Sequence, residues 1–420
     1  MQQLRMVSDI MLFTEKLLQA LDTKAEQFAQ GSSAFQSEFH TYYTALLALG
    51  KTYPAMQSLS AALVQLQTPV GALPVEQYDA CMRQYGAVPV KTFSALFANH
   101  VEARSWAEQV ITGISVAAAD GSQIAPWGDV SVPIALAQAG LFMNPHSADK
   151  NYIKQTYVEV LGPEDLAESA ADDASSAFLA DQFGAEIINL RRFELECATL
   201  MRWMRSTAAE GVSITKPPVA LFDGSLIVSF ALTMQSAIRT RYIHTVVALL
   251  RTSQETRIPL LGYIDSSKAR DLAVMLRAAF PEKQLPKSSR IADAQLLQPQ
   301  MRWGDVTIPF LSARGDVLHS YDGEQVAFQY LRAAQDRPPA RVEMPEWVIR
   351  EGLEDYCIDV LRAEIIIGGG YPYALETADA LAVISLADRE RFYGVLQKYM
   401  EQKGIALSFS RKFLSKSRRR

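Results

Sequence analysis

The chain has 420 residues, 49% of them hydrophobic and 21% charged, with a formal net charge of -5. This is the balance of a globular protein with ample core, and the acidic sign counts against a general nucleic-acid-coating role. Cys81, Cys197 and Cys357 are too scattered for a disulfide framework or a zinc knuckle. They fit a reducing cytoplasm, where we expect the protein. No apolar run is long enough to span a bilayer, and the N-terminus lacks the succession of a signal peptide.

Residues 1–105 show helical periodicity, in Met11, Leu12, Leu17, Leu18 and Leu21 and again in Leu59, Leu63 and Leu66. This predicts an N-terminal helical region without catalytic spacing. The character changes near residue 108. Ile114-Ser115-Val116-Ala117-Ala118-Ala119 reads as a buried strand that ends at Asp120-Gly121-Ser122. Val130–Ile134 reads as its hairpin partner. Residues 145–180 are polar and acidic and predict a surface excursion with a helical piece. An amphipathic helix is expected over 182–206, carrying Glu194 and Glu196.

Pro218-Val219-Ala220-Leu221-Phe222 then repeats the first pattern and ends at Asp223-Gly224-Ser225. A helix over 226–250, a strand over 259–264 and a helix to Ala279 follow, in strand–helix–strand order. Further strands are expected at 309–311 and 326–331. Arg341-Val342-Glu343-Met344-Pro345 reads as an edge strand stopped by proline. A helix over 346–363 leads to a predicted strand, Glu364-Ile365-Ile366-Ile367. The stretch from Gly368-Gly369-Gly370-Tyr371-Pro372 enters a helix near Leu375, with Asp379 one turn in. No Gly-Lys-Ser/Thr follows, so it is not a P-loop. The last ten residues hold six Lys or Arg and no acid, a basic tail suited to phosphates.

Asp-Gly is by itself a common turn dipeptide. Two copies at matching strand ends place two carboxylates side by side, where repulsion calls for a divalent cation with oxygen ligands. In order along the chain, Asp120-Gly121-Ser122, Leu221-Phe222-Asp223-Gly224-Ser225-Leu226, Arg341–Pro345 and Gly369-Gly370-Tyr371-Pro372-Tyr373-Ala374-Leu375 resemble the NurA nuclease family over roughly 110–400. The resemblance implies an α/β, RNase H-like mixed sheet flanked by helices, with a nuclease domain over 106–405 after the helical region and a basic tail over 406–420. It implies a manganese-dependent deoxyribonuclease, with Mg²⁺ as the substitute ion, that resects DNA from 5′ ends. Its implied partners are a HerA-type hexameric ATPase and a second copy of the chain, with no membrane. The family's metal ligands fall on Asp120, Asp223 and Glu196, with Glu194 as fallback, and a family Tyr on Tyr371. A family His falls on Asp379, which keeps metal binding but loses the imidazole's neutral-pH acid chemistry.

On this reading Asp120 bridges two metals, while Asp223, Glu196 and Asp379 complete their shells. Tyr371 contacts the scissile phosphate. Lys268, Arg341 and the tail position DNA by its phosphates. The competing reading is a non-catalytic, NurA-like assembly subunit of a translocase complex, favoured by Asp379 standing in place of His.

Overall fold

The computed structural model describes residues 14–52, 63–65, 70–75, 87–126, 130–167, 180–213 and 215–406. Met11, Leu12, Leu59, Leu66, Cys81 and residues 407–420 of the basic tail lie outside them. So do Glu168, Asp172 and Asp173 of the acidic excursion.

Eleven described strands form one mixed sheet. They are β1 (Gly71–Pro74), β2 (Val90–Lys91), β3 (Val116–Ile124), β4 (Ala135–Asn144), β5 (Ile153–Leu161), β6 (Val219–Asp223), β7 (Leu260–Ile264), β8 (Val306–Thr307), β9 (Phe310–Ala313), β10 (Val326–Leu331) and β11 (Ala340–Pro345). The main order is β1-β9-β10-β11-β7-β6-β3-β4-β5, with β8 pairing β10 and β2. Strands β3, β6 and β7 are parallel, β4 pairs antiparallel with β3, and β5 pairs antiparallel with β4. This five-strand block, with helices on both faces, is the RNase H-like core expected from the resemblance.

The longer helices are α1 (Thr14–Asp22), α2 (Ala25–Thr52), α3 (His100–Ile111), α4 (Ala180–Glu210), α5 (Ser236–Thr256), α6 (Asp271–Ala279), α7 (Glu354–Ile367), α8 (Tyr373–Ala382) and α9 (Leu386–Gln402). Alternation along the central strands assigns them to two layers. Ala117, Ala119, Ala220, Phe222 and Leu260 pack with α4 and α5. Their neighbours Val116, Ala118, Val219, Leu221 and Leu261 pack with α3, α7 and α8. Strands buried on both faces read as continuous apolar runs, which is why the 114–119 and 218–222 runs show no polar alternation.

A third cluster joins α2, through Tyr42, Ala45, Leu46 and Leu49, to α6 and to Phe310, Phe328 and Tyr330 of the sheet. The N-terminal stretch is therefore not purely helical and is not set apart. Its strands β1 and β2 pair with β9 and β8, and α3 straddles residue 105.

Five local expectations need correction. The partner of β3 is β4, which begins just after Val130–Ile134. The region after residue 145 contributes the edge strand β5, whose Lys154, Thr156, Val158 and Val160 face out. The helix expected from Leu226 begins at Ser236, after a short 3₁₀ turn over Ser229–Thr233. Glu364–Ile367 is the last turn of α7, because its β-branched residues fill the layer under the sheet as part of a longer buried helix. Residues 341–345 form no edge: β11 lies between β10 and β7.

Candidate active site

Strands β3 and β6 run side by side in parallel register, Ala119 opposite Phe222, so Asp120 and Asp223 emerge at the same end of the sheet. Both follow the alternation that faces the α7–α8 layer. Asp265, one residue past β7, lies in the same row and adds its charge to the field at Asp223.

Glu196 arrives from the opposite layer, on α4. The residue beneath it is Gly121, whose missing side chain is what admits it. A Cβ on Gly121 would lie 2.4 Å from Glu196 Oε1 and 2.9 Å from its Cγ. Glu196 is almost fully buried, and Arg192, one turn earlier, forms an ion pair with it and also donates to the Gly121 carbonyl oxygen. Glu194, the fallback, turns the other way, to Arg241 at 2.7 Å.

Helix α8 delivers Asp379. It packs across β4 at Gly140, the residue paired with Asp120 in the ladder. A Cβ there would stand 2.9 Å from Leu381 Cβ and 3.1 Å from the Ala378 oxygen. The hydroxyl of Ser122 donates to the carbonyl of Ala382 at the end of α8, and Gln138 Nε2 donates to the same oxygen at 3.0 Å. These contacts hold Asp379 close enough to Asp120 to raise its carboxyl. Before α8, Gly369 and Gly370 take left-handed φ values of 71° and 125°. That turn brings the Tyr371 hydroxyl to Asp223 Oδ1 at 3.1 Å, with its ring edge-on to Tyr263.

The electrostatics follow from burial and crowding. Burial, with Asp379 and Asp223 alongside, pushes the Asp120 carboxyl up to about 6. Burial pushes Glu196 up to about 7 against the opposing pull of Arg192. Burial, with Asp379 and Asp265, raises Asp223, which Tyr371 partly offsets. The Tyr371 phenol is itself driven up by burial and by Asp223, so it stays protonated and donates.

A family model of the NurA domain matches residues 114–384, well over half of the chain. The chain belongs to the NurA domain family. Among solved structures, it is similar to the NurA nuclease from Sulfolobus solfataricus, at 15% identity and TM-score 0.44, over 69% of this chain and 85% of that one. A NurA structure with manganese aligns at 10% identity and TM-score 0.36, covering 69% and 89%. The catalytic domain of human endonuclease V aligns at 16% and 0.32, covering 77% and 99%. No curated protein sequence matches the chain.

In this NurA domain the chemistry of the donors fits a divalent cation. Carboxylates that raise one another's proton affinity at one spot are what a hard cation relieves. Each is turned to a different partner: Asp120 accepts from the Gly121 amide at 2.8 Å, Asp223 from Tyr371 and Glu196 from Arg192. Accordingly no three acidic, His or Cys groups among the described residues stand in a ligating arrangement. Holding an ion requires side-chain rotation, above all release of Glu196 from Arg192.

The remaining family motif supports this site from behind. Glu343 of β11 accepts from Ser225 Oγ at 2.8 Å and from the Leu226 amide at 2.7 Å, which pins the loop leaving Asp223. Arg341 holds Glu343 at 2.6 Å and Asp271 at 2.8 Å, with its guanidinium 3.8 Å from the Phe328 ring centre. Arg341 is buried, so the DNA-contacting role expected of it is wrong: it is an internal counter-ion. Lys268 is exposed, as a phosphate contact requires.

The same network sets a pH dependence. Asp293 accepts from the Leu272 and Ala273 amides at 3.0 Å and from Tyr330 at 3.1 Å. Burial, with Asp271 nearby, pushes its carboxyl from 3.8 up to about 7. The folded state thus binds this proton more tightly than the unfolded chain. Its contribution to stability is fully present below about pH 3.8 and is lost as pH rises through about 7. The urea midpoint of the native protein should fall over that interval by more than that of Asp293→Asn; parallel profiles would contradict the assignment.

Sequence reasoning alone missed Asp265, Arg192, Gly140 and the inward role of Glu343. The only local signal among these was the position of Asp265 at a strand end. For Gly121 the packing gives a further expectation: Gly121→Ala should displace Glu196 and cost about 10²-fold in turnover. Melting temperature serves as the folding control.

Proposed function

We propose that this NurA domain is a divalent-metal-dependent deoxyribonuclease. The observation that carries the proposal is the convergence of Asp120, Asp223, Glu196 and Asp379, from two strands and two helices on opposite faces, onto one sheet end. Asp120, Asp223 and Asp379 are the residues that would hold the metal, joined by Glu196 once it leaves Arg192. The bound metal supplies Lewis-acid stabilisation of charge on a phosphodiester and a nucleophile at neutral pH. The protein's own residues do the rest. Tyr371 stays protonated and donates a hydrogen bond, which is suited to an oxygen of the scissile phosphate. Arg192, once free of Glu196, is placed to take the developing negative charge. Exposed cations such as Lys268 hold the flanking phosphates without reading sequence.

The finer reading is 5′-end resection in DNA repair, with manganese preferred over magnesium, acting as a homodimer with a HerA-type ATPase. The similarity to a NurA structure solved with manganese motivates the choice of ion. No described helix is long and apolar enough to cross a membrane. A second reading, a non-catalytic assembly subunit, is favoured by the Arg192–Glu196 pair, which occupies a ligand of the site.

End-labelled single- and double-stranded DNA, incubated with Mn²⁺, Mg²⁺ or EDTA, separates the two. Cleavage that needs a divalent ion and is lost in Asp379→Ala is the expected result. Absence of cleavage with either ion, in the presence of the ATPase partner, would favour the assembly subunit.

A further inference from the structure

Two hollows of about 770 and 460 Å³ adjoin each other and share Lys268 and Arg270. The first is also lined by Arg277, Lys287 and Arg314, and the second by Arg290. Against these six cations stand two acids, Asp271 and Asp316. Both are already engaged, Asp271 by Arg341 and Asp316 by Arg314. A lining with an excess of four positive charges, on a chain of net charge -5, is a local reversal of the protein's field. Lys268, Lys287 and Arg290 are exposed.

The position of the groove is tied to the candidate site by the chain itself. Its floor is the loop that leaves β7, running from Ser266 and Ser267 directly after Asp265. Its lining also includes Ser229, the first residue of the 3₁₀ turn that follows Asp223 and Ser225, where Arg314 donates to the Ser229 hydroxyl at 3.3 Å. Segments that follow β6 and β7 thus both contribute to its lining. No aromatic residue lines either hollow, so there is no platform on which bases could stack. The lining suits an anionic backbone and not stacked bases.

We propose that this groove holds the sugar–phosphate backbone of the DNA whose scissile phosphate lies at the carboxylates, with Lys268, Lys287 and Arg290 as its principal contacts. The inference rests on the nuclease reading for its ligand. An acidic protein would meet the same charges; DNA is the favoured occupant because the lining includes segments that directly follow β6 and β7, the strands that lead to Asp223 and Asp265. A duplex crossing it loses one condensed counterion for roughly each phosphate neutralised.

The test uses the native full-length chain in EDTA, which prevents cleavage, and the anisotropy of a labelled DNA duplex over a salt series. The triple variant Lys268→Glu, Lys287→Glu, Arg290→Glu is compared with a control that changes the same charge elsewhere: Lys24→Glu, Lys150→Glu, Lys398→Glu. The groove variant should bind at least about tenfold more weakly and lose about two to three units of the log–log salt slope. The control should change far less. Equal weakening in both variants, or none in the groove variant, overturns the groove. Melting curves establish that both variants are folded; a groove variant that does not fold is replaced by the three charge-neutral Gln substitutions, judged by the same criteria. Hydrolysis of bis(4-nitrophenyl) phosphate by the native protein with Mn²⁺ tests the nuclease reading independently, because that substrate is too small to reach the groove.

Discussion

Asp120→Ala should abolish DNA cleavage while leaving the protein folded. Asp120 sits among Asp379, Asp223 and Glu196, and its carboxyl is raised to about 6 by burial and by Asp379 and Asp223. On the proposed metal-dependent reading, removing it deletes the group that would link the others to a shared cation. A metal's stabilisation of the transition state is worth several kcal/mol, so the rate should fall by roughly 10³-fold or more. The same substitution relieves repulsion, and in EDTA at pH 8 the variant should melt no lower than the native protein. Loss of activity together with loss of folding would make Asp120 a structural residue. Retained activity would remove it from the site.

Glu343→Ala should instead be severe for stability. Glu343 is 1% exposed, and its carboxylate ties Arg341 to the loop that leaves Asp223. Alanine would leave the buried Arg341 short of one counter-ion and the Leu226 amide without its acceptor. Breaking a buried pair from one side costs roughly 3–5 kcal/mol. A urea denaturation series should show a loss of that size, and Glu343→Gln, which keeps the shape and part of the hydrogen bonding, should lose less. A cost under about 1 kcal/mol would place Glu343 among ordinary surface charges.

These two residues mark what sequence can and cannot disclose. Asp120 and Asp223 were legible because each closes a short apolar run with a turn-forming glycine, and two such runs in a parallel sheet align their ends. Glu343 and Arg341 share a short strand stopped by Pro345, which reads as an edge. Their burial depends on Asp271, seventy residues away in the chain, and that pairing leaves no local mark. Helix α7 shows the same limit in the fold: the run Glu364–Ile367 has strand composition, yet the layer beneath the sheet holds it as helix. Strand β5 was hidden for the opposite reason, since an edge strand with one face in solvent carries the polar composition of a loop. Asp379 was reachable only through its distance from Tyr371. Its convergence with Asp120 depends on Gly140, a strand glycine that lets α8 approach closely.

The most direct test of the central claim is an anomalous difference map from crystals soaked in Mn²⁺. The account predicts manganese peaks bounded by Asp120, Asp223 and Asp379, with Glu196 rotated away from Arg192 toward the ion. A manganese-soaked crystal with no peak at these carboxylates, and with Arg192 still seated on Glu196, would contradict it.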